Sequence, residues 1–469
     1  MVKDIRIRIA PSPTGNLHIG TARSALFNYL FAKNQGGKFI LRIEDTDLQR
    51  SDPRFEKEIT ESLKWLGIEW DEFYKQSERT EVYKKYLEKL LKEGKAYHCF
   101  CSEEELEAKR QEQMARGAPA KYNGKCRLLP EKEVRERLRR GEGSIIRFRV
   151  PEKKVRFQDL IRGEIEFDSG LIGDFSIAKN TSTPLYNLAV VIDDFEGKIS
   201  HVIRGEDHIS NTPKQMLLQE ALGFSQPKYA HLPLILGPDK SKMSKRHGAV
   251  AISDYRKEGY LPEALNNFMA FLGWNPDTEK ESFLMKDLIK EFSLEKVQKS
   301  GAVFNVQRLD YLNGYYIRQK PLRELAELCQ PYLPKADPGL IEKIVAIYQE
   351  RLKKLSEISE LADFFFKDKL NYDKELLRWK NMKDKEVIEI LDKLDKILHK
   401  IERGGWTKEN LHNILMPEAE KIGDRGCLLW PLRVALTGKK ASAGPFEIAE
   451  ILGREETLAR IKQAREIIK

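Results

Sequence analysis

Cysteine is scarce, five in 469 residues, too few for the disulfide framework that staples small secreted domains. Long apolar runs are missing as well. No stretch approaches the roughly 20 apolar residues of a membrane-spanning helix. The opening MVKDIRIRIA alternates charged and apolar residues where a secretory signal would carry an unbroken apolar block. A cytoplasmic protein with no membrane partner is expected. No G-x-x-x-x-G-K-[ST] occurs, which excludes that phosphate loop, and there is no fixed-period repeat or low-complexity tract. Histidine is rare, with 8 residues. Charge is plentiful: 82 Lys and Arg against 73 Asp and Glu give a formal net charge of +9. That balance suits a polyanionic partner and also many ordinary basic enzymes. The 41% hydrophobic share is that of a soluble globular protein, and the length allows several domains.

Ile5, Ile7 and Ile9 alternate with Arg6 and Arg8, a period-2 strand pattern that Pro11-Ser-Pro-Thr-Gly15 ends. Ala22, Ala25, Leu26, Tyr29 and Leu30 then recur at helical spacing until Gly36-Gly37, and 39–43 reads as a buried strand ending in Glu44-Asp45-Thr46-Asp47. Strand, helix and strand with short joints predict a parallel βαβ unit, whose ligands lie at the carboxyl ends of the strands. Over 97–187 charged helices (103–116, 131–140) alternate with β-like runs (144–150, 163–167), the texture of an inserted domain. The runs at 188–192 and 199–203 predict two more strands. Beyond Leu322 the apolar residues keep helical period, as in Ile341, Ile344, Val345, Tyr348, Leu352 and Leu355. The expected fold class is therefore α/β. A Rossmann-type parallel sheet at 1–96 and 188–236 is split by an α+β insertion at 97–187, then come a segment at 237–321 and an all-helical domain at 322–469.

In the stretch RIAPSPTGNLHIGTA (8–22), Pro11 and Pro13 stiffen the turn while Gly15 and Gly20 allow close backbone approach to a ligand. His18 falls at the mouth of a helix, where unpaired N–H groups and the dipole favour phosphate. A lone histidine in a turn is more often a cap or a solvated residue than a phosphate contact. Far downstream, Gly237-Pro-Asp-Lys-Ser-Lys-Met-Ser-Lys-Arg246 crowds Lys240, Lys242, Lys245 and Arg246 into one polar loop. Crowded cations suit an anion, although such runs are commonly solvated faces.

Together, PSPTG-N-L-HIG and KMSKR resemble the two signatures of class I aminoacyl-tRNA synthetases. Further matches in LRIEDTD (41–47), LYNLAVVIDD (185–194), HVIRGEDH (201–208), LNGYYIR (312–318) and PLRVALTG (431–438) resemble the glutamyl-tRNA synthetases of bacterial type along the whole chain. The resemblance implies two steps: attack of the glutamate carboxylate on the α-phosphate of ATP, carried with Mg2+, and transfer of the glutamyl group to the terminal ribose of tRNA(Glu). It assigns catalysis to His18 and Lys245, and ATP binding to Pro11, Thr14, Gly15, His18, Gly20, Lys242, Ser244 and Lys245. Where many class I enzymes have a second histidine, this chain has Thr21.

The same resemblance carries Arg8, Ser12, Glu44, Tyr186 and Arg204 into an L-glutamate pocket. Glu44 suits the ammonium and the arginines suit carboxylates, which a guanidinium fork holds through two charge-assisted bonds. Without it, Glu44 would read as an acidic strand end and Arg204 as a structural partner of Glu206 or Asp207. It makes 97–187 the acceptor-end domain, 237–321 a stem-contact segment and 322–469 the anticodon-binding domain, where Arg351 would sense the last anticodon base. A monomer is expected.

Cys99, Cys101 and Cys126 can supply most of a tetrahedral zinc site. Some relatives add a histidine two residues after the third cysteine, but that position is Leu128 here, which leaves Tyr122 as a fourth ligand or three reduced thiols with no metal. Cys329 and Cys427 read as structural. Among alternatives, a glutaminyl enzyme would end in β-barrels, and a truncated paralogue that glutamylates a tRNA base would lack the helical domain. A nucleotidyltransferase that never meets RNA would not need that domain. A silent tRNA-binding protein would not need His18, Lys245, Arg8 and Glu44.

Overall fold

The computed structural model describes residues 4–47, 49–244, 246 and 248–469. The chain divides into two compact units, one formed by 1–256 and 262–309 and the other by 257–261 and 310–469. The division thus falls inside the 237–321 segment.

In the first unit the alternating isoleucines form strand β1 (Arg6–Ile9). The PSPTG turn leads into helix α1 (Ile19–Asn34), and β2 (Lys38–Ile43) returns parallel to β1. After α2 (Pro53–Trp65), begun by the Asp52 cap and Pro53, β3 (Glu72–Lys75) adds parallel to β2. Helix α3 (Thr80–Lys92) leads out to β4 (Ala96–Cys99), α4 (Glu103–Ala115), α5 (Glu131–Arg139), β5 (Ile145–Phe148), β6 (Lys154–Asp159), β7 (Gly163–Asp168), β8 (Ser176–Asn180) and β9 (Thr183–Pro184). Strands β4, β5, β8 and β9 make an antiparallel sheet. The chain then returns through α6 (Tyr186–Glu196), β10 (His201–Gly205), α7 (Thr212–Leu222) and β11 (Lys228–Leu232).

Strand β10 pairs in parallel with β11, which meets β6 and its antiparallel neighbour β7. The Ser200 N–H donates to the Arg6 carbonyl at 2.9 Å, which sets β10 beside β1. Strand β1 therefore has β2 on one flank and β10 on the other. That reversal of strand order opens a crevice at the carboxyl ends, where α/β sheets bind ligands. Phe148, Ile177, Leu188, Val191, Leu217 and Tyr229 belong to one continuous core, so the inserted sheet and α6 share their apolar surface.

The run at 188–192 is not a strand, as its pattern predicts, but the middle of α6. Leu188, Ala189, Val190, Val191 and Ile192 are all buried. A helix covered all round shows no 3.6-residue alternation, and periodicity cannot tell it from a buried strand.

The second unit is helical, and none of its described residues lies in a strand. Helix Pro338–Tyr348 shows how its sequence works. Asp337 caps the N–H groups of Gly339 and Leu340, Pro338 begins the first turn, and Ile341, Ile344, Val345 and Tyr348 form the buried face. Helices Asp384–Leu398, Lys408–Lys421, Gly426–Thr437 and Pro445–Ile468 pack around Leu391, Leu394, Leu411, Leu432 and Ile461.

Candidate functional site

At the carboxyl ends of β1, β2 and β10 lies a cavity of about 770 Å³. Arg8, Pro11, Ser12, His18, Gly20, Glu44, Tyr186, Arg204 and Lys242 all line it. Thr14, Gly15 and Ser244 are not in its wall. Thr14 is exposed at the tip of the turn, its N–H donating to the Ser12 carbonyl at 2.9 Å. Lys245, assigned to catalysis by the resemblance, lies outside the described residues.

His18 caps α1, its Nδ1 accepting the Gly20 N–H at 3.0 Å. With Nδ1 accepting, the neutral ring carries its proton on Nε2. Burial and the nearby Lys242 hold the imidazole below its ordinary pKa, so it is neutral at pH 7. A Cβ on Gly20 would stand 3.3 Å from Nδ1, a tight contact against the cap. The segment just past the second motif packs on this helix mouth, where Ile19 N–H donates to the Val250 carbonyl at 2.8 Å and Ile252 N–H to that of Leu17 at 2.9 Å, and Lys242 of the motif lines the same cavity.

Beneath the cavity lies a buried ionic cluster. Arg8 donates to Asp194 through Nε (3.1 Å) and Nη2 (3.4 Å), and Arg42 donates to Asp194 through Nη1 (2.6 Å) and to Glu44 through Nη2 (3.1 Å). Asp193 accepts from Gln76, Arg79 and Tyr83. Burial raises the Glu44 carboxyl against the pull of Arg42 and Arg8, and a cation entering the pocket would draw it back down. Ser12 Oγ donates to the Glu44 carbonyl at 2.9 Å, and Tyr186 Oη lies 3.0 Å from His208 Nδ1. Burial, with Arg204 near, takes His208 down to about 4.

Arg204 is not the partner of Glu206 or Asp207 that its neighbourhood in the sequence suggests. Those acids engage Arg162 (2.6 Å) and Lys242 (3.1 Å). Its own bonds go to His231 Nε2 (3.2 Å), Gln215 Oε1 (2.9 Å), Thr212 Oγ1 (2.8 Å) and the His208 carbonyl (3.5 Å), all neutral. Among the described residues no carboxylate lies within ion-pair distance of it. Arg42, Asp194, His208 and His231 are site residues that sequence reasoning missed. A charged residue inside the apolar runs KFILRI and LAVVIDD was the available signal, because burying an unpaired charge is prohibitive.

The three cysteines converge at the end of β4, their sulfurs within 4.8 Å of one another. Tyr122 Oη lies 3.4 Å from Cys99 Sγ and 3.6 Å from Cys101 Sγ, and Cys101 and Cys126 are 3.7 Å apart. A tetrahedral zinc with sulfur at about 2.3 Å and oxygen at about 2.0 Å would set such separations near ~3.8 Å and ~3.5 Å. The donor set therefore fits that ion. Leu128, 84% exposed, takes no part. In the second unit Arg351 is exposed, its Nη1 donating to the Ser442 carbonyl at 2.6 Å.

Residues 4–311 match the family described as "tRNA synthetases class I (E and Q), catalytic domain", and residues 324–465 match "Anticodon binding domain". The chain is similar to Glutamate–tRNA ligase 1 of Caldicellulosiruptor saccharolyticus, 47% identical over 98% of each chain. It is also similar to Glutamate–tRNA ligase 2 of Thermoanaerobacter pseudethanolicus, 45% identical over 100% of this chain and 99% of that one. Among solved structures, a glutamate tRNA ligase from Elizabethkingia meningosepticum in complex with its amino acid superposes with a TM-score of 0.88 at 35% identity, over 99% of this chain and 100% of that chain.

Proposed function

Because the chain belongs to the glutamate–tRNA ligase family of class I aminoacyl-tRNA synthetases, we propose a division of labour for the residues of its cavity. The enzyme attaches glutamate to tRNA in two steps. A glutamate carboxylate oxygen attacks the α-phosphorus of ATP and expels pyrophosphate; a hydroxyl of the terminal ribose of tRNA then attacks the adenylate carbonyl and expels AMP. Neither step calls for a protein nucleophile, so the residues position reactants and stabilise developing phosphate charge.

In this reading the Nε2–H of His18 and the positive end of the α1 dipole hold the α-phosphate, with Gly20 giving room and Lys242 adding positive charge. Pro11, Thr14 and Gly15 shape the turn, and Ser244 and Lys245 act from the second motif. Glu44 takes the glutamate ammonium, while Ser12 and Tyr186 flank the amino acid. Arg204, helped by Arg8, takes the side-chain carboxylate. The observation that carries the assignment is Arg204, buried and held by neutral acceptors only, in the same cavity as the His18 ring. Each charge-assisted bond contributes about 1.5–3 kcal/mol, enough to reject glutamine without editing.

Glutamate-dependent ATP–pyrophosphate exchange, with and without tRNA, followed by charging of glutamate and glutamine tRNAs, tests this reading. Charging of glutamate tRNA is expected. Full exchange without tRNA and no charging of either tRNA would overturn the reading in favour of a plain nucleotidyltransferase. Charging of glutamine tRNA would mark a wider tRNA range.

The reading extends to a cytoplasmic monomer in which the 97–187 insertion meets the acceptor end, 237–321 the stem, and the helical region, with Arg351, the anticodon. Among the described residues no helix is long and apolar enough to cross a membrane. Zinc held by Cys99, Cys101, Cys126 and Tyr122 would tie the end of β4 to the 122–126 turn. Purified protein should then carry about one equivalent of zinc, and Cys126→Ser should lose it. Less than about a tenth of an equivalent, with activity intact, would retire the site.

A further inference from the structure

We propose that Asp159 and His231 are positioning residues that fix Arg204 without cancelling its charge, and thereby set the preference for glutamate over its amide. The inference rests on the assignment of Arg204 to the substrate carboxylate.

Asp159 ends β6 and His231 lies on β11; both side chains are fully buried, with Nδ1 and Oδ2 2.6 Å apart. Asp159 also accepts the backbone N–H groups of Ile161 (2.9 Å), Arg162 (2.8 Å) and His231 (3.1 Å). Burial opposes its ionisation, but the bonds from His231 and from the backbone outweigh it and hold the carboxyl below the usual range. A carboxylate only accepts, so the imidazole proton sits on Nδ1. Burial, opposed by Asp159 and reinforced by Arg204, keeps His231 below its ordinary pKa and therefore neutral. Its Nε2 then presents a lone pair, and Arg204 Nε stands 3.2 Å away.

The consequence is unusual for a buried arginine. Nε, Nη1 and Nη2 are all held by neutral acceptors, so the orientation of the fork is set while, among the described residues, no carboxylate pairs with it directly and Asp194 acts on it only at longer range. Arg8 differs, because its charge meets Asp194 directly. Had a carboxylate stood at position 231, Arg204 would be neutralised in the same way, and glutamate and glutamine would be bound more nearly alike. The one negative charge of the relay is displaced behind an imidazole. Its base comes from the chain between β4 and α6. There β6 meets β11 through the single register pair Asp159 and Tyr229, and Arg162 locks the turn to Glu206.

The test measures KM for glutamate and for ATP separately, with glutamine as competitor, in the full-length enzyme. His231→Leu removes the acceptor. Asp159→Asn keeps the size and offers an N–H that would drive the imidazole proton onto Nε2, against Arg204. Both are expected to raise KM for glutamate roughly 10- to 100-fold and to narrow the glutamate-to-glutamine ratio as much, with KM for ATP within about twofold. His231→Gln, whose amide can donate to Asp159 and accept from Arg204, should recover most of the parent KM. Asp159→Asn carries the same readout should His231→Leu fail to fold. An unchanged KM for glutamate in these variants, alongside a raised KM in Arg204→Lys, would overturn the relay and leave the pocket assignment intact. Equal increases in both KM values, with no recovery by Gln, would also overturn it. An unaltered KM in Arg204→Lys would instead overturn the pocket assignment.

Discussion

Replacing His18 by Asn should leave the protein as stable as its parent and slow glutamyl-adenylate formation roughly 10²- to 10³-fold, about 2.7–4 kcal/mol of barrier. One ring does two separable things. Its Nδ1 caps α1 by accepting the Gly20 N–H, and that bond directs the neutral ring's proton to Nε2 for a phosphate oxygen. Burial and Lys242 keep the ring neutral at pH 7, so the cap and the donor coexist. Asparagine is among the best N-caps and has no atom in the place of Nε2. His18→Ala should show the same loss of rate and about 1 kcal/mol of lost stability besides, since it removes the cap. Pyrophosphate exchange and a thermal melt on both variants separate the two roles. An Asn variant within about threefold of the parent rate would mean that the helix mouth alone holds the phosphate.

The parts of the site that could be read in the sequence are those carried by local pattern. Alternating isoleucines, the PSPTG turn and the 3.6-residue run after Ile19 identify β1, α1 and β2, and with them the helix mouth on which His18 sits. The helical unit is legible for the same reason, as the buried face of Ile341, Ile344, Val345 and Tyr348 shows. Helix α6 is not, because burial all round erases the amphipathic signal. The larger loss is in partnerships. Arg42 and Asp194 are 152 positions apart, and Asp159 and His231 are 72 apart, so nothing in their neighbourhoods announces a bond. The resemblance supplied residues that could touch substrate. It did not supply those that hold them, because what those residues do is visible only in who neutralises whom.

Asp194→Asn tests that layer directly and should cost about 3–5 kcal/mol of stability, the usual loss when one partner of a buried ion pair is removed. Asp194 is 5% exposed and accepts from two arginines, one of them, Arg42, with no side-chain exposure at all. Asparagine keeps the volume but leaves both guanidiniums facing an amide. Glu44, 3.1 Å from Arg42, and Asp193, 3.9 Å from it, are then the carboxylates left to meet the excess charge. The acid dependence follows from the same contacts. Burial opposes ionisation of Asp194, but Arg8 and Arg42 outweigh it and hold the carboxyl below the aspartate range. A group whose folded pKa is depressed stabilises the fold above its unfolded pKa, about 3.9, and that stability is lost as pH falls through the folded value. Denaturant titrations should therefore show the parent losing stability below about pH 4, with a flatter curve for the Asn variant. A variant within about 1 kcal/mol of the parent at pH 7 would mean that Glu44 and Asp193 already suffice for both arginines. The substrate readout should move as well. An Arg8 freed from Asp194 adds a second charge with no direct carboxylate partner to a cavity where Arg204 supplies one, so glutamate binding should tighten or hold even as the fold weakens. Stability and affinity changing in opposite directions would show that Asp194 serves the fold by withholding a charge from the pocket.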